Sequence, residues 1–255
     1  MEKTERDARR IFGDRAAFYS TSPAHTDTQV LSRVVSLASP QSDWVVLDIA
    51  TGTGHTAFTL APSVRLVVGT DLTPEMLAEA RRLRDERRLA NVAFSLADVH
   101  DLPCRSAGFH LITCRRAAHH FSRVHQALSE MHRVLRRGGR LVIDDRSVPE
   151  DDFVDECLNE LDGYHDESHV RQYRASEWRG MLETQGFAVE AVECYTKHRP
   201  LSALTEGVSS ENVGKIHAVL GGLTQVQREA LGLQEIKGEP YLNHWYVMIA
   251  ATKHA

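Results

Sequence analysis

The stretch Asp48-Ile-Ala-Thr-Gly52-Thr-Gly54-His-Thr-Ala57 sets two glycines and a small residue in G-x-G-x-x-G/A spacing. Such a turn between strand and helix is tight and lets a ligand approach the backbone. Asp71 follows Gly52 by 19 residues, where a carboxylate can accept hydrogen bonds from ribose hydroxyls. Together these residues predict a nucleoside-bearing cofactor. Asp48, just ahead of the glycines, narrows the choice. A dinucleotide brings its pyrophosphate to this turn, and a second carboxylate there repels it. S-adenosylmethionine carries an ammonium and a sulfonium instead, both attracted by Asp48.

Methyl transfer from a sulfonium is an in-line displacement, so the protein must hold an acceptor lone pair about 3–3.5 Å from the reacting carbon. An acceptor that must lose a proton also needs a base, and histidine is the usual one near neutral pH. His119 and His120 fall just past a predicted strand, at the edge where open α/β sheets place ligands. Either could be the base or orient the acceptor; otherwise one packs against Phe121 and the other bonds the loop. Asp144 and Asp145 end the next strand at the same edge. Asp162, His165, Asp166 and His169 have a spacing that could bind metal on a helix. A solvated acidic face is the preferred reading, and no metal is assigned. Arg171 and Arg174 are candidates for an anionic group on the acceptor.

The elements that must position these residues are legible as short apolar runs: Trp44 to Ala50, Arg65 to Asp71, Val92 to Leu96, His110 to Cys114 and Arg140 to Asp145. Continuous rather than alternating apolarity suits strands covered on both faces. Helical segments lie between them. Thr73 and Pro74 open one, and Ser122 caps another that Gly138-Gly139 stops. The expected fold is therefore α/β, a Rossmann-like, mostly parallel sheet with helices on both faces. The division reads as an N-terminal helical cap over residues 1–40, a cofactor-binding core over 41–146, and the remainder of the core over 147–255. Lid insertions are expected at about 147–175, irregular and acidic, and 196–243, with some helix.

With 255 residues, 42% hydrophobic and 25% charged, the chain has the composition of a water-soluble globular protein. Thirty Lys and Arg against 35 Asp and Glu give a net charge of −5, so no global field draws it to nucleic acid or anionic membranes. Arg81, Arg82, Arg84, Arg87 and Arg88 share a helix with Glu79, Asp85 and Glu86 and read as a salt-bridged face. Cys104, Cys114, Cys157 and Cys194 form no Cys-x-x-Cys pair, which fits a reducing cytoplasm. No signal peptide or run of about 20 apolar residues is present.

At this point the chain resembles the class I S-adenosylmethionine-dependent methyltransferases, in the branch similar to ubiquinone/menaquinone-biosynthesis methyltransferases (methyltransferase type 11 domain). The resemblance rests on Asp48 to Gly54, Gly69-Thr-Asp-Leu-Thr-Pro-Glu-Met76, Ala97-Asp-Val-His-Asp-Leu-Pro103, Ala118-His-His-Phe121 and Glu130 to Gly139. It implies a seven-stranded sheet with an antiparallel last strand, consistent with Tyr246 to Ala251. It also implies that Gly52, Thr53 and Gly54 contact the methionine part, Asp71 the ribose, Leu72 an adenine face, and Asp98 with Val99 the adenine edge. Arg115 would reach the cofactor through its backbone. Tyr19, in the N-terminal Phe12…Tyr19-Ser20 segment, would close over the site, its ring face favourable beside a sulfonium.

The expected function is methylation of a small-molecule acceptor by a cytoplasmic enzyme, with the product S-adenosylhomocysteine. The alternatives are an RNA methyltransferase, a non-catalytic cofactor-binding protein, or an NAD-dependent oxidoreductase that Asp48 disfavours. Pro103-Cys104 precedes the fourth strand rather than following it, unlike the nucleophile of cytosine-5 methyltransferases. Cys114-Arg-Arg-Ala-Ala-His lacks the Asn/Asp-Pro-Pro-aromatic signature of base-amino methyltransferases. Neither a membrane nor nucleic acid is the expected partner, a homodimer is left open, and the acceptor's identity is not encoded in any motif.

Overall fold

The apolar runs become the strands of one sheet. The computed structural model describes residues 3–254. Its strands are β1 (Val45–Ile49), β2 (Leu66–Asp71), β3 (Val92–Leu96), β4 (Phe109–Arg115), β5 (Leu135–Val148), β6 (Tyr173–Arg174), β7 (Phe187–Pro200), β8 (Gln234–Ile236) and β9 (Glu239–Lys253). The sheet runs β3-β2-β1-β4-β5-β9-β7, with β6 added on β5 and β8 on β9. The pairs β1–β2, β1–β4, β2–β3 and β4–β5 are parallel, and β9 runs antiparallel to both β5 and β7. The expected seven-stranded frame with an antiparallel last strand is therefore present, extended by two short strands. Strand β9, paired along its length with β7, reaches well beyond the Tyr246 to Ala251 segment that announced it. Their pairing continues from Phe187↔Lys253 to Pro200↔Tyr241.

The helices are α1 (Lys3–Asp14), α2 (Ala16–Tyr19), α3 (Thr28–Ala38), α4 (His55–Leu60), α5 (Pro74–Glu86), α6 (Val124–Val134), α7 (Asp152–His165), α8 (Ala175–Thr184), α9 (Ser202–Thr205), α10 (Ser210–Gly221) and α11 (Gln225–Ala230). On one face of the sheet Leu128, Met131 and Val134 of α6 and Trp178 of α8 bury against β1, β4 and β5. On the other, Val30, Val34 and Leu37 of α3 and Phe58 of α4 cover the same strands. Each such side chain contributes about 1.5–3 kcal/mol of transfer free energy. A third apolar cluster joins α7, α9 and α10 to the projecting ends of β5 and β9. Among the described residues, no helix is long and apolar enough to cross a membrane.

Two local expectations change. Residues 147–169 are not irregular: Asp151 accepts a hydrogen bond from Val154 N at 2.9 Å and starts α7. Asp155 and Asp162 lie buried on that helix among Val154, Cys157, Leu158 and Leu161, which disguised its apolar face. They are neutralised by Arg174 (2.8 Å) and Arg146 (2.8 Å). Ser122 does not cap α6; Arg123 occupies that position without a side-chain cap bond, and Ser122 Oγ donates to Glu5 instead.

Candidate functional site

The carboxyl ends of β1, β2, β3 and β4 open into one cavity roofed by α1 and α2. It holds about 1060 Å³ of unfilled space, its mouth included, and is large enough for a nucleoside-sized ligand. Tyr19, Asp48, Gly52, Thr53, Asp71, Leu72, Asp98, Val99, Arg115 and His120 all line it. Gly54 and His119 do not.

The glycine turn explains that split. Gly52 has φ +54°, and a Cβ built on it would meet nothing within 4 Å, so its bare backbone faces open cavity. Gly54 has φ +90°, and its Cβ would fall 2.6 Å from Phe58 Cζ. It serves the turn into α4, where it is the N-cap residue. Ala50 (φ +49°) and Arg116 (φ +56°) also adopt left-handed backbone where β1 and β4 end. Strained non-glycine residues of this kind concentrate at functional sites.

Two carboxylates flank the turn. Asp71 Oδ2 accepts from Gly52 N at 2.8 Å and Oδ1 from Thr73 N at 2.9 Å, which fixes both oxygens while leaving lone pairs for a ligand hydroxyl. Burial raises its pKa. Asp48 is buried beneath the turn, where Thr51 Oγ1 (2.5 Å) and Thr113 Oγ1 (2.6 Å) donate to it. Burial outweighs those donors and pushes its pKa up to about 6. Asp98, expected at an adenine edge, accepts on Oδ1 from both the backbone N (2.9 Å) and Nδ1 (2.7 Å) of His100. Burial raises the Tyr19 pKa to about 12, and its ring meets Phe12 and His25 edge-on at 5.7 and 4.6 Å.

The two histidines part company. His119 is only 9% exposed and its Nδ1 lies 2.5 Å from Asp145 Oδ1, with its backbone N donating to Oδ2 at 2.9 Å. Burial drives the His119 pKa well below its ordinary value and raises Asp145 to about 6. This pair is a buried support. His120 lies against it, the rings tilted by 43° with centroids 4.0 Å apart, and reaches the cavity. Its Nδ1 lies 3.1 Å from both the carbonyl oxygen and Oγ of Ser168, and that hydroxyl gives its own hydrogen to Asp166 Oδ1 at 2.6 Å. Because a carbonyl only accepts, Nδ1 carries the hydrogen and Nε2 holds the lone pair in the neutral ring.

Several contacts here carry no sequence signal. Arg115 was expected to act through its backbone. Its side chain donates to Thr56 Oγ1 (3.0 Å) and to the His25 carbonyl (2.8 Å), while Nη1 is buried without a hydrogen bond. Arg116 donates to Asp144 Oδ2 at 3.1 Å and to Tyr195, its guanidinium 3.9 Å above the Tyr246 ring. Glu5 and His25 line the cavity from the N-terminal segment, joined by nothing but long-range folding. In contrast, Arg171 and Arg174 are engaged by Asp155, Glu177 and Asp152 and lie outside the cavity. Asp162 is held by Arg146 and Gln172, and His169 by Asn159 at 3.0 Å.

A methyltransferase domain family matches residues 40–186, more than half the chain and all of the sheet edge just described. The chain belongs to this family. A methyltransferase of Bacillus subtilis (strain 168), YcgJ, is 36% identical over 182 residues, spanning 71% of this chain and 72% of that protein. Its crystal structure superposes with a TM-score of 0.84 at 30% identity, covering 89% of this chain and 99% of that one. The demethylmenaquinone methyltransferase of Thermus thermophilus is 42% identical over 114 residues, 44% of this chain and 51% of that protein. At the level of fold alone, the methyltransferase resembles a Haemonchus contortus phosphoethanolamine N-methyltransferase solved with phosphomonomethylethanolamine and S-adenosylhomocysteine. That likeness has a TM-score of 0.62 at 19% identity, over 91% of this chain and 54% of the other.

Proposed function

We propose that this methyltransferase uses S-adenosylmethionine to methylate a small molecule. The observation that carries the reading is the bond from Gly52 N to Asp71. In a dinucleotide site the amide groups of this turn face a pyrophosphate; here that hydrogen is given to a carboxylate, and a second carboxylate, Asp48, lies beneath. The turn is built for a cationic, hydroxyl-bearing ligand. The fit extends to the open face of Gly52 and to Arg115 Nη1, a buried donor without an acceptor. The solved N-methyltransferase neighbour holds S-adenosylhomocysteine on the same fold.

On this reading Gly52 and Thr53 hold the methionine part, Asp48 faces its cationic groups, and Arg115 offers Nη1 to its carboxylate. Asp71 takes the ribose hydroxyls, and Leu72, Asp98 and Val99 bound the adenine. When bound, S-adenosylmethionine supplies an electrophilic methyl group. His120 Nε2 is placed to take the proton that the acceptor loses, while the Ser168 carbonyl keeps the lone pair on that nitrogen. Phe12, 5.0 Å from the His120 ring, and Tyr19 line the roof, and an apolar cover of this kind strengthens charge interactions beneath it.

Calorimetric titration with S-adenosylmethionine and S-adenosylhomocysteine tests this, with NAD as a control. The expected outcome is micromolar binding of both sulfur compounds, about −8 kcal/mol, lost in Asp71→Ala. Binding of NAD without either sulfur compound would overturn the assignment.

A further inference from the structure

Glu5 is a carboxylate only 5% exposed on the inner side of α1, a place such residues seldom occupy without a partner. One oxygen is accounted for. Ser122 Oγ donates to Oε1, which also lies 3.8 Å from His100 Nδ1. Oε2 is buried with no hydrogen bond among the described residues, and Glu5 lines the cavity. A buried acceptor left without a donor is the mark of a group made for something absent from the chain itself.

The strand order says which part of a ligand would arrive there. Neighbouring strand ends follow the sequence β3-β2-β1-β4. Asp48 and Gly52 stand at the end of β1, Asp71 ends β2, and Asp98 to His100 lie just past the end of β3. A nucleoside with its ribose on Asp71 and its reacting end over Asp48 must project its base toward Asp98, His100 and Glu5. His100 itself does not satisfy Glu5. The Arg123 backbone N donates to His100 Nε2 at 3.4 Å, so Nδ1 carries the hydrogen, and that hydrogen goes to Asp98 Oδ1 at 2.7 Å. Asp98 Oδ1 is thus occupied twice over, and of the three side chains Glu5 alone has a buried acceptor, Oε2, without a donor among the described residues.

We propose that Glu5 Oε2 accepts a hydrogen bond from the exocyclic amino group of the cofactor's adenine, so that α1 reads the base. This rests on the cofactor assignment above. Hypoxanthine, which presents a carbonyl oxygen at the same position, would set two acceptors against each other and be rejected. Glu5→Gln supplies an amide that can turn its NH₂ toward that carbonyl and relieve the conflict.

The test compares calorimetric binding of S-adenosylhomocysteine and S-inosylhomocysteine to the full chain, in wild type, Glu5→Gln and Asp71→Ala. Wild type should prefer the adenosyl compound at least tenfold, and Glu5→Gln should shrink that ratio severalfold while thermal unfolding shows the variant folded. Should Glu5→Gln fail to fold, Glu5→Asp, with its shorter reach, carries the same comparison. Equal binding of the two compounds by wild type overturns the inference, as does a ratio unchanged by substitution. If S-adenosylhomocysteine still binds and is lost in Asp71→Ala, only the role of Glu5 falls. If wild type binds neither compound, the cofactor assignment falls and this inference with it.

Discussion

His119 and His120 are adjacent in sequence yet differ in every physical respect that matters to proton transfer. His120 faces the cavity with its tautomer set by the Ser168 carbonyl, whereas His119 is buried on Asp145. His120→Ala should lower methyl transfer by about 10²–10⁴-fold, the usual contribution of a general base, while S-adenosylhomocysteine binding stays close to wild type. His119→Ala should chiefly lower stability, by about 3–5 kcal/mol at the upper end, since it strips the partner from a buried carboxylate. Single-turnover rates and urea unfolding on both variants check this. An active His120→Ala beside a stable but inactive His119→Ala would reverse the roles. Both histidines were legible as candidates from their place after a strand. Which of them lines the cavity was not, because the deciding partners, Ser168 and Asp145, belong to distant segments.

At the scale of elements, the strand–turn–helix from β1 into α4 asks different things of its two glycines. Gly54→Ala forces a Cβ against the Phe58 ring at a left-handed backbone position, and about 1–3 kcal/mol of stability should be lost. Gly52→Ala shares the backbone cost but meets no atom of the chain. Its larger effect should be on cofactor affinity, expected to fall at least tenfold while unfolding shifts less than for Gly54→Ala. Parallel thermal melts and titrations separate them, and equal affinity losses in both would contradict the division. The parallel strands could be read from the sequence because their apolarity is continuous, and the glycine–Asp71 relation because its spacing is local. Helix α7 escaped because Asp155 and Asp162 break its apolar stripe while lying buried in it. The wrongly assigned cap at Ser122 failed for a related reason: its hydroxyl is claimed by Glu5, a partner that no local pattern announces.

For the molecule as a whole, the cavity is roofed by a helix that packs on other helices. Helix α1 rests on α5 and α2, and Ser122 donates to its Glu5. Ligand at about 100 times its Kd should stabilise the fold by about 2.7 kcal/mol and slow proteolysis within α1 more than within α10 or α11. Cleavage rates in α1 indifferent to saturating S-adenosylhomocysteine would show that the roof does not respond to the ligand. The sheet carries one further consequence, for how the chain comes into being. Strand β9 lies between β5 and β7, although it is made after both. Until Glu239–Lys253 leaves the ribosome, β5 presents an unpaired edge bearing Leu141, Val142 and Ile143, and the apolar faces meant for α3 and α8 stay incomplete. An open hydrophobic edge is a template for association with other chains. The interval between synthesis of β5 and of β9 is therefore the window in which that edge stands open to pairing with other chains.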